Sequence, residues 1–375
     1  MKATTSDDQL LYQIALTKVT GIGDIIGKNL LKVVGQPQAI FESSKQSLSA
    51  IKGLPQKIVN EIHNPQVLKD AEQELSFVRK NKINTFFTGE EGYPRRLLDC
   101  VDSPILLYFR GDVDFNRDKV ISIVGTRNST NYGNSTCETL LKELAARFPD
   151  LLVVSGLAYG IDIAAHRAAL ANGLATVGVM AHGLDRVYPA VHRQTAKEML
   201  AQGGLLTEFA SGTEPDRFNF VRRNRIVAGM ADAVLVIESS LKGGSLITAE
   251  IANSYCKDVF ALPGRITDTR SDGCNDLIYR KKADVLISSG QFIEQMNWDK
   301  ATSKGQAKPK QQQLFFDLTP EEAAIISKLG EEGIIHIDRL SKSLNISAFD
   351  LFPILVELEL KGAVSSHSGS FYEAN

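Results

Sequence analysis

Between Lys119 and Ile287 seven short apolar runs (119–124, 151–154, 175–180, 204–208, 233–237, 258–262 and 283–287) alternate with stretches of helical apolar spacing in most of the gaps. Strands separated by helices pair in parallel, so this order predicts an α/β fold: an extended, Rossmann-like, mostly parallel sheet with helices on both faces. In such a fold the ligand crevice lies outside the carboxyl ends of the strands. Polar, glycine-rich turns stand at those ends: Gly125-Thr126-Arg127, Ser155-Gly156, the loop after Glu208, and Gly243-Gly244-Ser245. Four such loops are therefore expected to converge on one edge of the sheet.

The flanks read differently. Residues 9–80 suggest short helices with two related hairpins, Val19-Thr20-Gly21-Ile22-Gly23 and Ile51-Lys52-Gly53-Leu54-Pro55. Such hairpins turn tightly and aim amides outward, as in helix-hairpin-helix modules that grip phosphates, and they also suit a small bundle that packs on its neighbour. Residues 299–313 carry four lysines and a glutamine run with almost nothing apolar, which reads as a linker. After it come a helix from Pro320, a second over 337–344, a third over 348–361 and a small β-hairpin wing. The expected domains are thus 1–81 (helical), 82–298 (Rossmann-like core), 299–314 (linker) and 315–375 (winged-helix-like).

At 375 residues the chain exceeds one ordinary core. A net charge of −2 with a pI near 6.3 excludes a uniformly basic nucleic-acid coat, so any polyanion site must be a local patch. Cys100, Cys137, Cys256 and Cys274 are scattered with no Cys-x-x-Cys pair, which argues for reduced thiols and against zinc. The first residues lack a signal-peptide core and no 18-residue apolar run occurs, so a soluble, cytoplasmic protein without a membrane partner is expected.

One stretch concentrates cations. Phe218 to Gly229 holds Arg222, Arg223 and Arg225 with Phe218 and Phe220, and the arginines are expected in the first turn of a helix. Cations there oppose the helix dipole, which suggests an anion held by side chains and backbone amides together; a solvated basic turn is the plainer reading. None of the glycine loops is a complete nucleotide fingerprint, so no ATP or NAD cofactor is expected. Ser155 and Gly156 suit a single phosphate with Arg127 as its bidentate partner, or simply cap and turn. Asp162 and His166, four residues apart, fit ordinary helix electrostatics. Glu208 and Glu250 have no nucleophile or base paired with them in the sequence, so no catalytic or metal-ligating residue is assigned.

Several motifs occur in an order that resembles the DNA-processing protein A family (DprA, also called Smf). They include Tyr93-Pro94, Ser103-Pro104, Arg110-Gly111, Gly125-Thr126-Arg127, Ser155 through Asp162 with Ala165-His166, Tyr188-Pro189, Phe220 with Arg223-Asn224-Arg225-Ile226, Gly244-Ser245 through Ala249, Ala261-Leu262-Pro263-Gly264 and Gly273-Cys274-Asn275. The resemblance implies a non-enzymatic homodimer that binds single-stranded DNA and helps load the recombinase RecA during natural transformation. Arg127, Ser155, Gly156, Phe220, Arg223, Asn224 and Arg225 are then expected to face the strand, with Arg222, Gly244 and Ser245 completing the site. Val221 stands where the family usually has proline, and Thr126 where it has serine or alanine. The runner-up is a phosphoribohydrolase-like enzyme of Rossmann-like fold, suggested by the turn Gly243-Gly244-Ser245 followed by Thr248 and Glu250. The C-terminal module has no Lys or Arg from Ser347 to Leu360 but carries Asp350, Glu357 and Glu359, so it is expected to contact protein or pack on the core rather than bind duplex DNA.

If four arginines track the backbone, log K against log salt should fall with a slope near about −3, from about 0.7 per phosphate on single strands. On this reading Arg225→Ala flattens that slope in a salt titration.

Overall fold

The strands Val120–Val124, Leu152–Ser155, Ala175–Val179, Gly203–Thr207 and Ala233–Val236 are buried at every position, which requires a sheet covered on both faces. The structure, a computed structural model, describes residues 6–299, 319–361, 363–367 and 370–374. The chain divides into two units, Met1–Asn297 and Trp298–Asn375.

In the first unit nine strands form one sheet: β1 (Asn84–Phe87), β2 (Leu106–Gly111), β3 (Val120–Val124), β4 (Leu152–Ser155), β5 (Ala175–Val179), β6 (Gly203–Thr207), β7 (Ala233–Val236), β8 (Asp258–Ala261) and β9 (Asp284–Val285). Their order is β1-β2-β6-β5-β4-β3-β7-β8-β9. From β6 to β9 every pairing is parallel, while β2 runs antiparallel to both β1 and β6. The apolar runs thus form the parallel part as expected. The two added strands escape that reading: β1 is half exposed, only the four-residue helix Arg95–Leu98 separates it from β2, and no helix separates β2 from β3.

Helices fill the gaps. Before the sheet come α1 (Asp7–Lys18), α2 (Asp24–Val34), α3 (Pro37–Glu42), α4 (Lys45–Ser49), α5 (Gln56–Ile62) and α6 (Pro65–Lys80). Within it are α7 (Arg95–Leu98), α8 (Asn131–Arg147), α9 (Ile161–Ala171), α10 (Arg193–Met199), α11 (Arg217–Gly229), α12 (Gly244–Ser254), α13 (Asp272–Tyr279) and α14 (Ser289–Gln295).

The first six helices do not stand apart from the sheet. Leu10, Ile14, Leu30 and Val59 share one buried cluster with Tyr108, Leu157, Met180 and Leu205. Polar ties reinforce the seam: Glu74 accepts from the Ser211 amide and hydroxyl, and the Lys28 ammonium donates to the Cys100 and Val101 carbonyls and to Ser103. Residues 6–81 and the sheet therefore belong to one unit.

The second unit is a winged helix. A capping box between Thr319 and Glu322 opens α15 (Pro320–Glu332). Next come β10 (Ile335–His336), α16 (Ile337–Leu344), which ends on the left-handed Asn345, and α17 (Ala348–Leu360), capped by Ser347. Strands β11 (Val364–His367) and β12 (Phe371–Ala374) complete a sheet of order β10-β12-β11. Ile325, Leu329, Leu340, Leu351, Leu355 and Tyr372 form its core. The linker expected over 299–314 lies, from residue 300 on, outside the described residues.

Gly203 opens β6 at φ +151°, and a Cβ there would lie 2.0 Å from the Thr176 carbonyl oxygen. Neither the strain nor the clash can be relieved by a side-chain rotation. Gly203→Ala is expected to cost about 2–4 kcal/mol, read as a fall in the urea midpoint.

Candidate nucleic-acid interface

The sheet changes direction at β3: the chain runs outward through β4, β5 and β6, then returns to add β7 on the other side. At this switch point three loops touch. The Thr126 amide donates to the Glu238 carbonyl at 2.7 Å, and the Thr126 carbonyl accepts from the Ile161 amide at 3.1 Å. Only glycines permit this approach, since a Cβ on Gly125 would meet Ile161 at 2.5 Å, and one on Gly160, at φ +74°, would meet the Thr126 oxygen at 2.1 Å.

A doubly wound fold ordinarily seats a phosphate at the helix start after its first strand. Here that start is taken by a side chain. Glu238 is fully buried and accepts from the Thr130 amide at 2.8 Å and the Thr130 hydroxyl at 2.5 Å, where Thr130 caps α8. Gly133 passes so close that a Cβ would lie 2.5 Å from the carboxylate. Sequence reasoning passed over Glu238; its signal was a carboxylate directly after an apolar run.

Helix α11 starts earlier than the sequence reading placed it. Asp216 is its N-cap and accepts from the Phe218 and Asn219 amides at 2.6 and 3.0 Å. The expectation of arginines in the first turn is therefore corrected: Arg222, Arg223 and Arg225 lie in the second and third turns, and an acidic residue occupies the dipole-favoured end. Helical phase then sends them apart. Arg223 points into the sheet edge, where it is 5% exposed and donates to the Val179 carbonyl at 2.8 Å. Burial pushes its pKa down, and the Asp162 carboxylate opposes that push. Burial also raises the Asp162 pKa, with Arg223 opposing it. A Cβ on Gly156 would fall 2.0 Å from the Arg223 guanidinium, so this glycine makes room for the arginine.

Arg225 and Arg222, three apart, share one face. Arg225 is buried between Glu208 at 2.5 Å, Asp24 at 3.1 Å and the Asp102 carbonyl. Arg222 reaches Glu208 at 2.6 Å and Asp24 at 3.2 Å, lies over the Phe209 ring, and keeps half of its surface in solvent. Burial lifts the Glu208 carboxyl to about 7, with the two arginines pulling it back. Arg223 and Arg225 are thus engaged inside the protein, which corrects the expectation that their side chains lie along a strand. The Ser155 hydroxyl likewise donates inward to the Ile123 carbonyl, and the Ser245 hydroxyl donates to Ser239. Both serines are buried and leave only backbone at the edge.

The outward elements are fewer. Helix α12 begins at Gly244, which has open space on its Cβ side, after the N-cap Gly243; neither that cap nor Gly160, the cap of α9, supplies a side-chain hydrogen bond. The exposed Arg127 places its guanidinium 5.2 Å over the half-buried Phe220 ring, and Tyr188 lies 6.0 Å from that ring on the other contact. Asn224 is half-buried and Val221 is exposed on α11. Tyr188, which entered the sequence analysis only as part of a motif, and Tyr159, packed on His192, add exposed aromatic surface. Glu250 pairs with Lys282 at 2.6 Å on the surface. Among the described residues no group of His, Cys, Asp and Glu could hold a metal ion, and no helix is long and apolar enough to cross a membrane.

A doubly wound sheet with an arginine, a pair of aromatic rings and glycine-capped helix starts at its carboxyl edge, in one chain with a winged helix, defines a Rossmann-like protein of two-part architecture. The family model for DNA recombination-mediator protein A matches residues 84–297, and that for the DprA winged helix domain matches 307–370. The chain belongs to the DNA recombination-mediator protein A family. Protein Smf of Synechocystis is 28% identical over 98% of this chain and 99% of its own length. The X-ray structure of DNA processing protein A from Streptococcus pneumoniae superposes with a TM-score of 0.64 at 32% identity, covering 78% of this chain and 98% of that one. DNA processing protein A from Helicobacter pylori, whose structure concerns its single-stranded DNA binding mode, gives 0.53 at 31% identity over 58% and 97%.

His166 is buried, with Gly156 O 2.5 Å and Thr176 Oγ1 2.7 Å from its ring nitrogens, and burial lowers its pKa to about 4. The unfolded chain takes up that proton first, so stability is lost as pH falls from about 6.5 toward 4. Between about pH 7.5 and pH 5 this group should account for about 2 kcal/mol of lost stability. Urea melts at the two pH values should show that share of the difference disappearing in His166→Gln.

Proposed function

We propose that the protein is a non-catalytic mediator of recombination that holds single-stranded DNA along the carboxyl edge of its sheet and delivers it to RecA. The observation that carries this reading is the cluster of Arg127, Phe220 and Tyr188 beside the glycine-capped starts of α9 and α12, which have no side-chain cap. Each part suits a flexible strand. A base stacked on Phe220 or Tyr188 contributes about 1–3 kcal/mol whatever its identity, while Arg127 and the helix-start amides of the Gly156 and Gly244 loops take phosphates. The Helicobacter relative, reported for its single-stranded DNA binding, supports the substrate class. RecA delivery, a homodimer and a cytoplasmic setting follow from the family resemblance.

On this reading Arg223 and Arg225 are positioning residues. They fix α11 so that Phe220 and Asn224 are presented at the edge. The hydrolase reading finds less support, because Glu250 at the end of the Gly243 turn is paired with Lys282, and Glu208 is enclosed by arginines.

The test is anisotropy of labelled oligothymidine and matched duplex across a salt series, with nucleoside monophosphates incubated in parallel to look for released base. Preference for the single strand and no base release are expected. Phe220→Ala should weaken binding by about 1–3 kcal/mol at unchanged salt slope. Arg127→Ala should reduce the slope by about 0.7, one phosphate contact. Arg225→Ala should instead cost about 3 kcal/mol or more of stability, read as a lower urea midpoint, since it strips a partner from buried Glu208. Duplex binding as tight as single-strand binding, or a Phe220→Ala variant that binds like wild type, overturns the proposal.

A further inference from the structure

Helix α17 is apolar on two sides. Leu351, Leu355 and Leu358 point into the winged-helix core and are fully buried. On the other side Phe349 is 87% exposed, Phe352 54% and Val356 38%, with Pro353 exposed among them. Positions 349, 352, 353 and 356 follow i, i+3, i+4, i+7 and form one continuous stripe. Two exposed phenylalanines in consecutive turns are more apolar surface than a solvated helix face ordinarily presents, and such stripes mark contact surfaces.

The charges around the stripe select the occupant. The helix carries Asp350, Glu357 and Glu359 and no Lys or Arg. The next cation along the chain, Lys361, is held by Glu322 at 2.6 Å and Glu357 at 3.1 Å. From 319 to 374 the unit has four Lys and Arg against nine Asp and Glu. In a winged helix this helix is the one that would enter a major groove, yet phosphates demand cations on that face and the stripe offers none. A second copy of the chain is disfavoured too, because a symmetric contact would set Asp350 and Glu357 against their own kind. A segment with apolar residues at helical spacing and flanking Lys or Arg satisfies both the stripe and its rim.

We propose that the outer face of α17 docks a basic amphipathic helix of a partner protein, with Phe349 and Phe352 as the anchors and Asp350 and Glu357 as the selecting charges. The winged helix is then a protein-recognition module built on a DNA-recognition scaffold.

The full-length protein can be titrated into a fluorescently labelled Leu/Lys amphipathic peptide, its Leu/Glu counterpart, and a labelled duplex. Saturable binding of the Leu/Lys peptide alone among the three is expected. Phe349→Ser combined with Phe352→Ser should weaken it at least about tenfold, with circular-dichroism melts unchanged because both side chains are exposed. Asp350→Lys combined with Glu357→Lys should transfer the preference to the Leu/Glu peptide, a result that does not depend on the phenylalanine variant folding. Absence of saturable binding overturns the proposal. So do equal binding of the two peptides, binding that survives the double serine substitution, and duplex binding or self-association in sedimentation that the same substitution abolishes.

Discussion

The guanidinium of Arg225 sits where almost no water reaches it, between the carboxylates of Glu208 and Asp24 and the carbonyl of Asp102. Those groups come from the end of β6, the first turn of α2 and the turn after α7, so a single side chain ties the helical N-terminal segment, the sheet and α11 together. A buried charge held this way is costly to strip of a partner, and that cost fixes the rotation of α11 about its axis. Once the rotation is fixed, Arg223 must enter the sheet edge and Phe220 must face the loops after β3 and β5. The aromatic surface of the site is therefore set by an interaction that is not itself on that surface.

The glycines at the switch point serve the same end by a different means. Gly125, Gly156 and Gly160 let the loops after β3 and β4, α9 and the Arg223 guanidinium approach within distances that any Cβ would forbid. The carboxyl edge is consequently a packed floor, with few side chains free to rearrange. On the proposed reading, such pre-organised amides and rings would take an extended strand at small entropic cost.

Most of the parallel sheet was legible because its strands are short apolar runs bounded by turn residues, the strongest pattern a sequence offers. The winged helix was legible for the same reason, and Thr319 and Ser347 cap its helices as their residue types suggest. Strands β1 and β2 were not, since antiparallel additions break the strand-helix rhythm and β1 is half exposed. Within the site, the composition of the Phe218–Gly229 segment was plain but its phase was not. A helix start at Arg217 places the three arginines in the second and third turns, and which of them faces the sheet is set by the rotation of the helix on its contacts, which the sequence does not show. The signal that could have fixed the start was Asp216, an N-cap residue directly before the cationic run. Glu238 and Tyr188 needed three-dimensional proximity to residues about 110 and 30 positions away, which spacing along a chain does not encode.

Glu238 gives the crevice one more property. Cells are rich in free nucleotides, and an open helix start at the switch point of a doubly wound sheet is a seat any of their phosphates could take. In this chain the seat is occupied by a carboxylate that cannot diffuse away, hydrogen-bonded to Thr130 and closed over by Gly133. A free mononucleotide therefore finds that helix start already filled, and on the proposed reading the grip on a polymeric phosphate chain falls to the neighbouring loops.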